Sequence, residues 1–295
     1  MISCLELLTV RSNRKTLCLE VNPPRSASCD SIFAKLEGNL DGVDILNVTD
    51  CALARLKMAA IPFAATLKNR FQREVVVNVS CRDRNLMALQ ADLLAGWALG
   101  VRSIVALTGD AMTIGDSPER KGVFEVNSVG LLNAIRTLNS GKDLNGGKLG
   151  GATDYISGVV VNPNAKNVSA EVRRLVKKRE GGAQYALSQP VFDIETAQSF
   201  FDAVATVDLP IFLGLMVIKS KSAGLALNSI PGIKLPQALL ESFDNTDDDY
   251  VQKRSLENAI RIAEMFKGQV QGFHVISGAS ISLAFDLVQE LRRVS

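Results

Sequence analysis

The chain has 295 residues, of which 47% are hydrophobic and 22% are charged, and these proportions are typical of a globular protein with a sizeable core. A net charge of +2 excludes the strongly basic surface that is typical of nucleic-acid binding or membrane attachment. Because His274 is its one histidine, the chain cannot form a multi-histidine metal site, and we expect no bound metal.

Short apolar runs alternate with longer segments of helical periodicity. The predicted strands are residues 17–21, 43–48, 74–80, 103–108, 156–161, 184–188, 210–215 and 271–276. Most are almost continuously apolar, which is typical of strands covered on both faces in a parallel sheet. The predicted helices are residues 29–37, 52–60, 85–98, 128–138, 169–179, 194–204, 249–267 and 280–292. Eight strand–helix pairs indicate an α/β fold, a (β/α)8 TIM barrel that forms a single domain over residues 1–295.

A doubly wound parallel sheet is the alternative fold. It is disfavoured because no strand is followed by a G-x-G-x-x-G turn, and the phosphate-binding G-x-x-x-x-G-K-[ST] pattern is also absent. Two long connections, 109–127 and 139–154, are rich in residues that break regular structure. Loops of this length in one domain are usually functional or mobile.

The cysteine pattern bears on the compartment of the protein. The chain has five cysteines, an odd number, and no CxxC pair, which indicates free thiols in a reducing environment. The first fifteen residues lack the long apolar stretch of a signal peptide. No apolar run is long enough to span a membrane. We therefore expect a cytoplasmic protein without membrane or nucleic-acid partners.

Polar side chains stand at the ends of several predicted strands, where barrel enzymes carry their chemistry. Glu20, Asp110 and Gln189 are expected to face one cavity there. Two carboxylates in one cavity disfavour each other's ionisation, which is one way to raise the pKa of a general acid. The structural alternatives are that Asp110 caps a helix, that Gln189 satisfies loop backbone, and that Glu20 has only a structural role.

Two charged segments and the single histidine have structural explanations of their own. The basic helix EVRRLVKKRE, residues 171–180, is either a solvated face or a phosphate site. The acidic run Asp247–Asp249 is expected to cap the helix that follows. His274 lies inside the last predicted strand and is expected to be a hydrogen-bonded core residue.

Six motifs occur in an order and spacing that resemble the methylenetetrahydrofolate reductase family over about residues 15–292. They are LEVNPPR, VDILNVTD, VSCRDRNLMALQADLLAGWALGVRSIVALTGD, VFEVNSVGLLNAIRTLNSGKDLNG, GVVVNPNA and GGAQYALSQPVFD. The motifs also resemble the reductase part of the bifunctional branch that carries a homocysteine S-methyltransferase domain, and we expect this protein to lack that extra domain. The resemblance implies a flavin-containing (β/α)8 barrel.

The resemblance also implies a reaction: reduction of 5,10-methylenetetrahydrofolate to 5-methyltetrahydrofolate, with hydride passing from NADH, NADPH or another donor through FAD. Glu20 matches the general acid that opens the methylene bridge. Asp110 matches the carboxylate beside the flavin and pterin, and Gln189 matches the residue whose amide pairs with the pterin edge. These three residues are thus the implied catalytic and substrate-binding groups.

Contacts to FAD carry over from the family by position. The implied cofactor-binding residues are Thr49, Asn78, Leu107, Thr108, Gly109, Asp110, Phe124, Glu125, Asn162, Glu171, Arg174 and Lys178. The chain departs from the family in places: Asn78 stands where many members have histidine, and Asn162 replaces a flavin-packing tyrosine.

Because of these departures, two alternative functions stay open. One is direct hydride transfer from a nicotinamide to the same folate without a flavin. The other is a non-catalytic folate-binding subunit of a one-carbon or electron-transfer complex. We expect a homo-oligomer, with an electron-transfer or methyltransferase protein as a further partner.

Overall fold

Eight parallel strands close into a barrel in chain order, β1 to β8. The computed structural model describes residues 3–10 and 12–294. The strands are β1 (Thr16–Val21), β2 (Ile45–Val48), β3 (Glu74–Ser80), β4 (Ser103–Leu107), β5 (Ile156–Val161), β6 (Tyr185–Pro190), β7 (Ile211–Leu215) and β8 (Gly272–Val275). β1 pairs with both β2 and β8, which closes the sheet. The predicted (β/α)8 fold is confirmed.

Helices connect the strands and pack around the barrel. Within the described residues they are α1 (Cys4–Thr9), α2 (Asp30–Leu36), α3 (Ala60–Phe71), α4 (Leu86–Ala98), α5 (Ser128–Asn139), α6 (Val168–Glu180), α7 (Ile194–Val204), α8 (Lys221–Asn228), α9 (Gln237–Glu241), α10 (Asp248–Phe266) and α11 (Ile281–Val294). The acidic run Asp247–Asp249 acts as expected: Asp247 is the N-cap residue of α10 and accepts a hydrogen bond from the Tyr250 N–H, and the other two aspartates lie in the first turn.

Alternate residues of each strand face opposite sides of the barrel wall, as the two-residue period of a strand requires. The outward set, which includes Leu17 and Leu19 of β1, packs against the helices. The inward set, which includes Cys18 and Phe212, forms a separate cluster inside the barrel. Both faces are therefore apolar, which explains why the strands read as continuous apolar runs in the sequence.

α1 closes the end of the barrel at which the strands begin. Its buried residues Cys4 and Leu8 join the inward-facing cluster of the strands. The helix starts with a capping box, in which the Ser3 side chain accepts from the Glu6 N–H and the Glu6 carboxylate accepts from the Ser3 N–H. The sequence analysis did not predict this helix, although the Ser-x-x-Glu pattern was present as a signal.

The predicted helix at 52–60 is wrong. Residues Cys51, Leu53 and Ala54 have positive φ angles, and the helix lies further along the chain as α3. Pro62 is the third residue of α3, where its missing N–H costs nothing because the first turn has no intrahelical acceptors for it. The proline thus marks the true start of the helix, whereas the alanine-rich segment before it forms a strained loop.

None of the helices in residues 3–10 and 12–294 has both the length and the apolar composition that a membrane span requires. All five cysteines carry free thiols. Cys4, Cys18 and Cys81 are buried as core residues, whereas Cys29 and Cys51 are half-buried.

Candidate active site

A cavity of ≈ 1110 Å³ opens at the C-terminal ends of the strands. Glu20, Asp110 and Gln189 all line it, so the structure brings together the three residues that the sequence placed at one rim. The cavity exceeds the roughly 300–1,000 Å³ of a typical small-molecule site. It therefore has room for a ligand with more than one ring system.

Glu20 is held by one side chain of its own segment, Asn22, and by one from the segment after β8, Ser277. Its Oε1 accepts hydrogen bonds from Asn22 Nδ2 (3.4 Å) and Ser277 Oγ (3.3 Å). Asn22 Nδ2 also donates to Ser277 Oγ (3.2 Å), and Thr49 Oγ1 donates to Asn22 Oδ1 (2.8 Å). The carboxylate is thus fixed in direction by a network that joins the ends of β1, β2 and β8.

The pKa of Glu20 is raised above its ordinary value. Burial is the largest cause, since it removes the carboxylate from water. Hydrogen bonds from Ser277, Asn22 and the backbone of Gly278 oppose part of the shift. The expectation that repulsion from Asp110 raises this pKa is therefore corrected, because desolvation is the main cause. A raised pKa is what a general acid working near neutral pH needs.

Asp110 lies in the connection after β4 and is exposed to solvent. Its Oδ2 accepts a hydrogen bond from the Leu53 N–H at 2.7 Å. Leu53 (φ 57°) belongs to the strained loop after β2, so Asp110 fixes that loop rather than capping a helix. One oxygen of the carboxylate, Oδ1, makes no hydrogen bond to residues 3–10 or 12–294 and is free for a ligand.

Gly109 sets the path of the chain between β4 and Asp110. Its φ of +99° belongs to the region that favours glycine. A Cβ here would collide with Ser80 Oγ and would lie 2.9 Å from Arg82 Cβ. Glycine is therefore required both for the turn and for its close approach to the end of β3, and the backbone from Leu107 to Asp110 lines the cavity as a result.

Gln189 lies within an irregularity in the pairing of β6 with β7, between Leu187 and Pro190. Ser188 Oγ bridges this irregularity, since it donates to the Gln189 carbonyl (2.8 Å) and accepts from the Gly214 N–H (2.7 Å). The side-chain amide of Gln189 makes no hydrogen bond within the described part of the chain. It faces the cavity with both a donor and an acceptor available.

The basic helix is α6, and one of its faces lines the cavity. Glu171, Arg174 and Lys178 stand three and four residues apart and share that face. Glu171 is buried and accepts from Arg174 Nε (2.8 Å) and from the Asn162 N–H (2.9 Å). Lys178 Nζ donates to the Val160 carbonyl (2.6 Å), and burial lowers its pKa.

The other basic side chains of α6 do not line the cavity. Arg173, Lys177 and Arg179 are exposed, so the solvated-face explanation applies to them. Arg174 and Lys178 supply cationic groups at the cavity wall, and the carboxylate of Glu171 neutralises part of that charge. This arrangement fits the pyrophosphate of a dinucleotide such as FAD, and Lys178 retains unused N–H donors for it.

Asn78 is fixed by its neighbour on β2. The buried Asn47 Nδ2 donates to Asn78 Oδ1 (2.9 Å), and Asn78 lines the cavity. Thr108 lines the cavity as well, and its Oγ1 accepts from the Ser128 N–H at the start of α5 (3.2 Å).

Two residues of the implied cofactor set lie elsewhere. Phe124 and Glu125 are exposed and are not part of the cavity lining. Glu125 Oε2 accepts from the Leu86 N–H (2.7 Å), so its carboxylate serves the start of α4. Phe124 (φ 42°) packs its ring against Gly122. The other implied cofactor residues all line the cavity.

His274 is a cavity residue that the sequence analysis assigned to the core. It lies in β8, is buried, and lines the cavity floor. The expected burial in the last strand is confirmed, but neither ring nitrogen makes a well-aligned hydrogen bond within the described residues, so the hydrogen-bonded part of the expectation is wrong. The Ser188 backbone lies close enough to oppose part of the pKa shift but does not satisfy the ring. The sequence could not reveal this, because partners depend on the assembled barrel.

The sequence and the fold are both similar to those of known proteins. A sequence model of the family described as "Methylenetetrahydrofolate reductase" matches residues 7–290. The 5,10-methylenetetrahydrofolate reductase of Escherichia coli (strain K12) is 26% identical over 207 residues, which are 68% of this chain and 63% of that protein. The protein of the same name from Pectobacterium carotovorum is 26% identical over 244 residues, 80% of this chain and 75% of that protein. The chain thus spans somewhat less than two thirds of the Escherichia coli protein.

Solved structures share the fold. An uncharacterized protein from Clostridium thermocellum, described as binding two copies of 5-methyl-5,6,7,8-tetrahydrofolic acid, superposes with a TM-score of 0.62. Its sequence identity is 16%, and the match covers 96% of this chain and 97% of that chain. At this identity the likeness supports the barrel fold alone. The family match, in contrast, extends over nearly the whole sequence, and on that ground the chain belongs to the methylenetetrahydrofolate reductase family.

Proposed function

We propose that this protein reduces 5,10-methylenetetrahydrofolate to 5-methyltetrahydrofolate. The observation that carries the proposal is Glu20, a carboxylic acid with a raised pKa that faces the same cavity as Gln189 and Asp110. The methylene carbon of the substrate bridges two nitrogens, and the bridge must open before the carbon accepts a hydride. Opening needs a proton on the departing nitrogen, and Glu20 is the acid placed to give it.

Two other side chains complete the proposed reaction. When one carbon–nitrogen bond breaks, the remaining iminium carries a positive charge, and the Asp110 carboxylate stabilises it. The Gln189 amide donates to and accepts from the edge of the pterin ring, which orients the substrate. The hydride then adds to the iminium carbon and produces the methyl group. Glu20 regains its proton from solvent.

We further propose that FAD binds in this cavity. When bound, FAD supplies the hydride carrier between NADH or NADPH and the folate. Lys178 and Arg174 would hold its pyrophosphate, and the backbone from Leu107 to Asp110, with Thr49, Thr108 and Asn78, would lie along the flavin. The volume of the cavity and the unused donors of Lys178 support this assignment.

The test is an absorbance spectrum of the purified protein before and after anaerobic addition of NADH and NADPH. A flavin spectrum that bleaches with a nicotinamide and returns with methylenetetrahydrofolate supports the whole proposal. A colourless preparation that still reduces the folate would replace the flavin route with direct hydride transfer. Protein that neither binds FAD nor reduces the folate would contradict the proposal and leave a non-catalytic folate-binding role.

Glu20→Gln separates the two half-reactions. It removes the proton that opens the bridge but keeps the size of the side chain, so folate reduction should fall by about 10²–10⁴-fold. Flavin reduction by the nicotinamide needs no proton from Glu20 and should stay close to the wild-type rate. An equal loss in both half-reactions would argue against the acid role.

A further inference from the structure

α4 presents an apolar surface to solvent, unlike the other helices around the barrel. Its exposed residues are Met87, Ala91, Leu94, Ala95 and Ala98. Within residues 3–10 and 12–294, every other helix exposes at least one charged side chain. The one charged residue of α4, Asp92, is half-buried and forms an ion pair with Arg84 (2.9 Å). A surface helix that is apolar all round is expected to be covered by another element.

Four of the exposed residues form a row along the helix, which we call the α4 stripe. The α4 stripe consists of Met87, Ala91, Leu94 and Ala98. Spacings of four, three and four residues bring these side chains onto one face of an α-helix. The buried residues of α4 lie on the opposite face, which packs against the barrel. The α4 stripe therefore points away from the barrel, and Met87 is 71% exposed.

The apolar surface extends beyond this helix. Leu99, directly after α4, is exposed, and so is Val129 at the start of the neighbouring α5. Phe124 is also exposed and lies near the start of α4, where the adjacent Glu125 accepts from the Leu86 N–H. A stable interface buries about 800 Å² on each partner, which is more than one helix face provides. These flanking side chains add to the area that a partner can cover.

The order of side chains in the α4 stripe is self-complementary. Along the helix the order is large, small, large, small. Against a second α4 that runs in the opposite direction, Met87 meets Ala98 and Ala91 meets Leu94, because both pairs share one midpoint. Each large side chain then fills the space above an alanine, as in knobs-into-holes packing. A two-fold axis beside the middle of the helix generates all four contacts at once.

The absence of charge on the α4 stripe is consistent with pairing of identical surfaces. A charged residue near a two-fold axis meets the same charge on the other copy, and the two repel each other. The α4 stripe carries no charge, and the charge of Asp92 beside it is neutralised within its own chain by Arg84. An unrelated partner protein would not require the large and small side chains to match their own reversed order.

We propose that α4 forms the interface of a homodimer, in which the α4 stripes of two chains pack antiparallel about a two-fold axis. A helix that connects parallel strands runs back in the direction opposite to them. The two barrels therefore point in opposite directions, and the mouth of each cavity stays open. Each chain keeps a complete candidate active site, so separation of the two chains leaves turnover per chain unchanged.

Sedimentation velocity of the full chain at about 1 to 100 µM measures the dimer Kd. Leu94→Glu places two carboxylates near the centre of the interface and should raise this Kd at least about 100-fold. Met265→Glu is the matched control, because Met265 is 56% exposed on α10 and lies outside the proposed interface. It should sediment as the wild-type dimer does.

An exchange of side-chain sizes tests the antiparallel pairing itself. Ala91→Leu alone sets two leucines against each other, and Leu94→Ala alone leaves a gap, so each should raise the dimer Kd about 10-fold. The double variant again pairs a leucine at one position with an alanine at the other. Its Kd should return to within about 3-fold of the wild-type value. Each variant should keep the circular dichroism spectrum of the wild type, because both positions are exposed in the single chain.

Four results would overturn the proposal. A wild-type chain that is monomeric at every concentration would mean that a different protein covers α4. A Leu94→Glu chain that stays dimeric would place the interface elsewhere. Equal dissociation of Met265→Glu would show a general effect of added charge. A double variant that dimerises no better than the single variants would reject antiparallel pairing of the two helices.

Discussion

At the scale of single residues, Glu20 and His274 show how one low-dielectric cavity moves two pKa values in opposite directions. Burial disfavours the charged form of each group. The carboxyl of Glu20 therefore holds its proton to higher pH, and the imidazole of His274 loses its proton at lower pH. Both side chains are thus less charged than they would be in water, which is consistent with the proton transfer proposed for Glu20.

Replacing Glu20 should stabilise the protein at neutral pH. The folded-state pKa of Glu20 is raised, so its contribution to stability is full below the unfolded pKa and is lost as pH rises through the folded pKa. Glu20→Gln should therefore have a melting temperature above that of the wild type at pH 8, and the difference should shrink towards pH 4. The exposed Glu119→Gln serves as control and should show little change at either pH. A lower melting temperature for Glu20→Gln at pH 8 would contradict the desolvation of the carboxylate.

His274 should make the protein sensitive to acid. Its pKa falls from 6.5 to about 4 on folding, so the unfolded chain binds a proton that the folded chain rejects. The contribution to stability is full above pH 6.5 and declines as pH falls, by up to about 3 kcal/mol near pH 4. Unfolding in denaturant at pH 7 and pH 5 should show a smaller loss for His274→Phe than for the wild type. Equal losses would mean that the imidazole titrates normally in the folded protein.

At the scale of elements, the turns after the strands position the site residues. The turn after β4 depends on Gly109. In Gly109→Ala, the alanine has to adopt an unfavourable positive φ, and its Cβ collides with Ser80 Oγ. We expect it to lower the free energy of unfolding by more than 2 kcal/mol, roughly the sum of backbone strain and overpacking. It should also weaken ligand binding, because the turn carries Asp110.

Gly146→Ala is the control for Gly109→Ala. Gly146 has a similar φ of +86° but no atom within 4 Å of the added Cβ. This substitution should cost about 1 kcal/mol of backbone strain and leave binding unchanged. Equal effects of the two substitutions on the free energy of unfolding would show that the contact with Ser80 is unimportant.

The barrel was predictable because continuous apolar strands and helical periodicity can be recognised in the sequence without knowledge of tertiary contacts. The failures have physical causes. The alanine-rich residues 52–60 have good helix propensity, yet the hydrogen bond from Leu53 N–H to Asp110 holds this segment in a left-handed turn. α1, α8 and α9 are short, and helices of that length give little periodic signal.

The site was predictable only in part. Glu20, Asp110 and Gln189 could be placed together because the ends of parallel strands share one rim. The hydrogen bond from Ser277 to Glu20 joins residues 257 positions apart, and no local pattern encodes it. The same holds for the unfilled hydrogen bonds of His274, which exist only once β1, β7 and β8 are adjacent.

At the scale of the whole molecule, the barrel is closed by packed side chains at one end and carries the candidate active site at the other. α1 seals the end where the strands begin, and the cavity opens at the other end. Interior side chains such as Tyr185 and Phe212 fill the space between the two ends. Substitutions at the sealed end should therefore change folding without changing the reaction.

Leu8→Ala tests this separation. Leu8 is fully buried in the interior cluster, so the substitution should lower the free energy of unfolding by about 2–5 kcal/mol. KM and kcat measured well below the melting temperature should match those of the wild type. Leu5→Ala, on the exposed side of the same helix, should change stability little. A change in KM for Leu8→Ala would show that the sealed end communicates with the cavity.

The seal formed by α1 also governs the order in which molecules enter and leave. With Cys4 and Leu8 packed across the lower end, every ligand passes through the mouth of the barrel. A molecule that rests on the floor at His274 lies beneath anything bound nearer the mouth. Such a molecule must arrive first and depart last, so a ligand held at the mouth traps the one below it and slows its release.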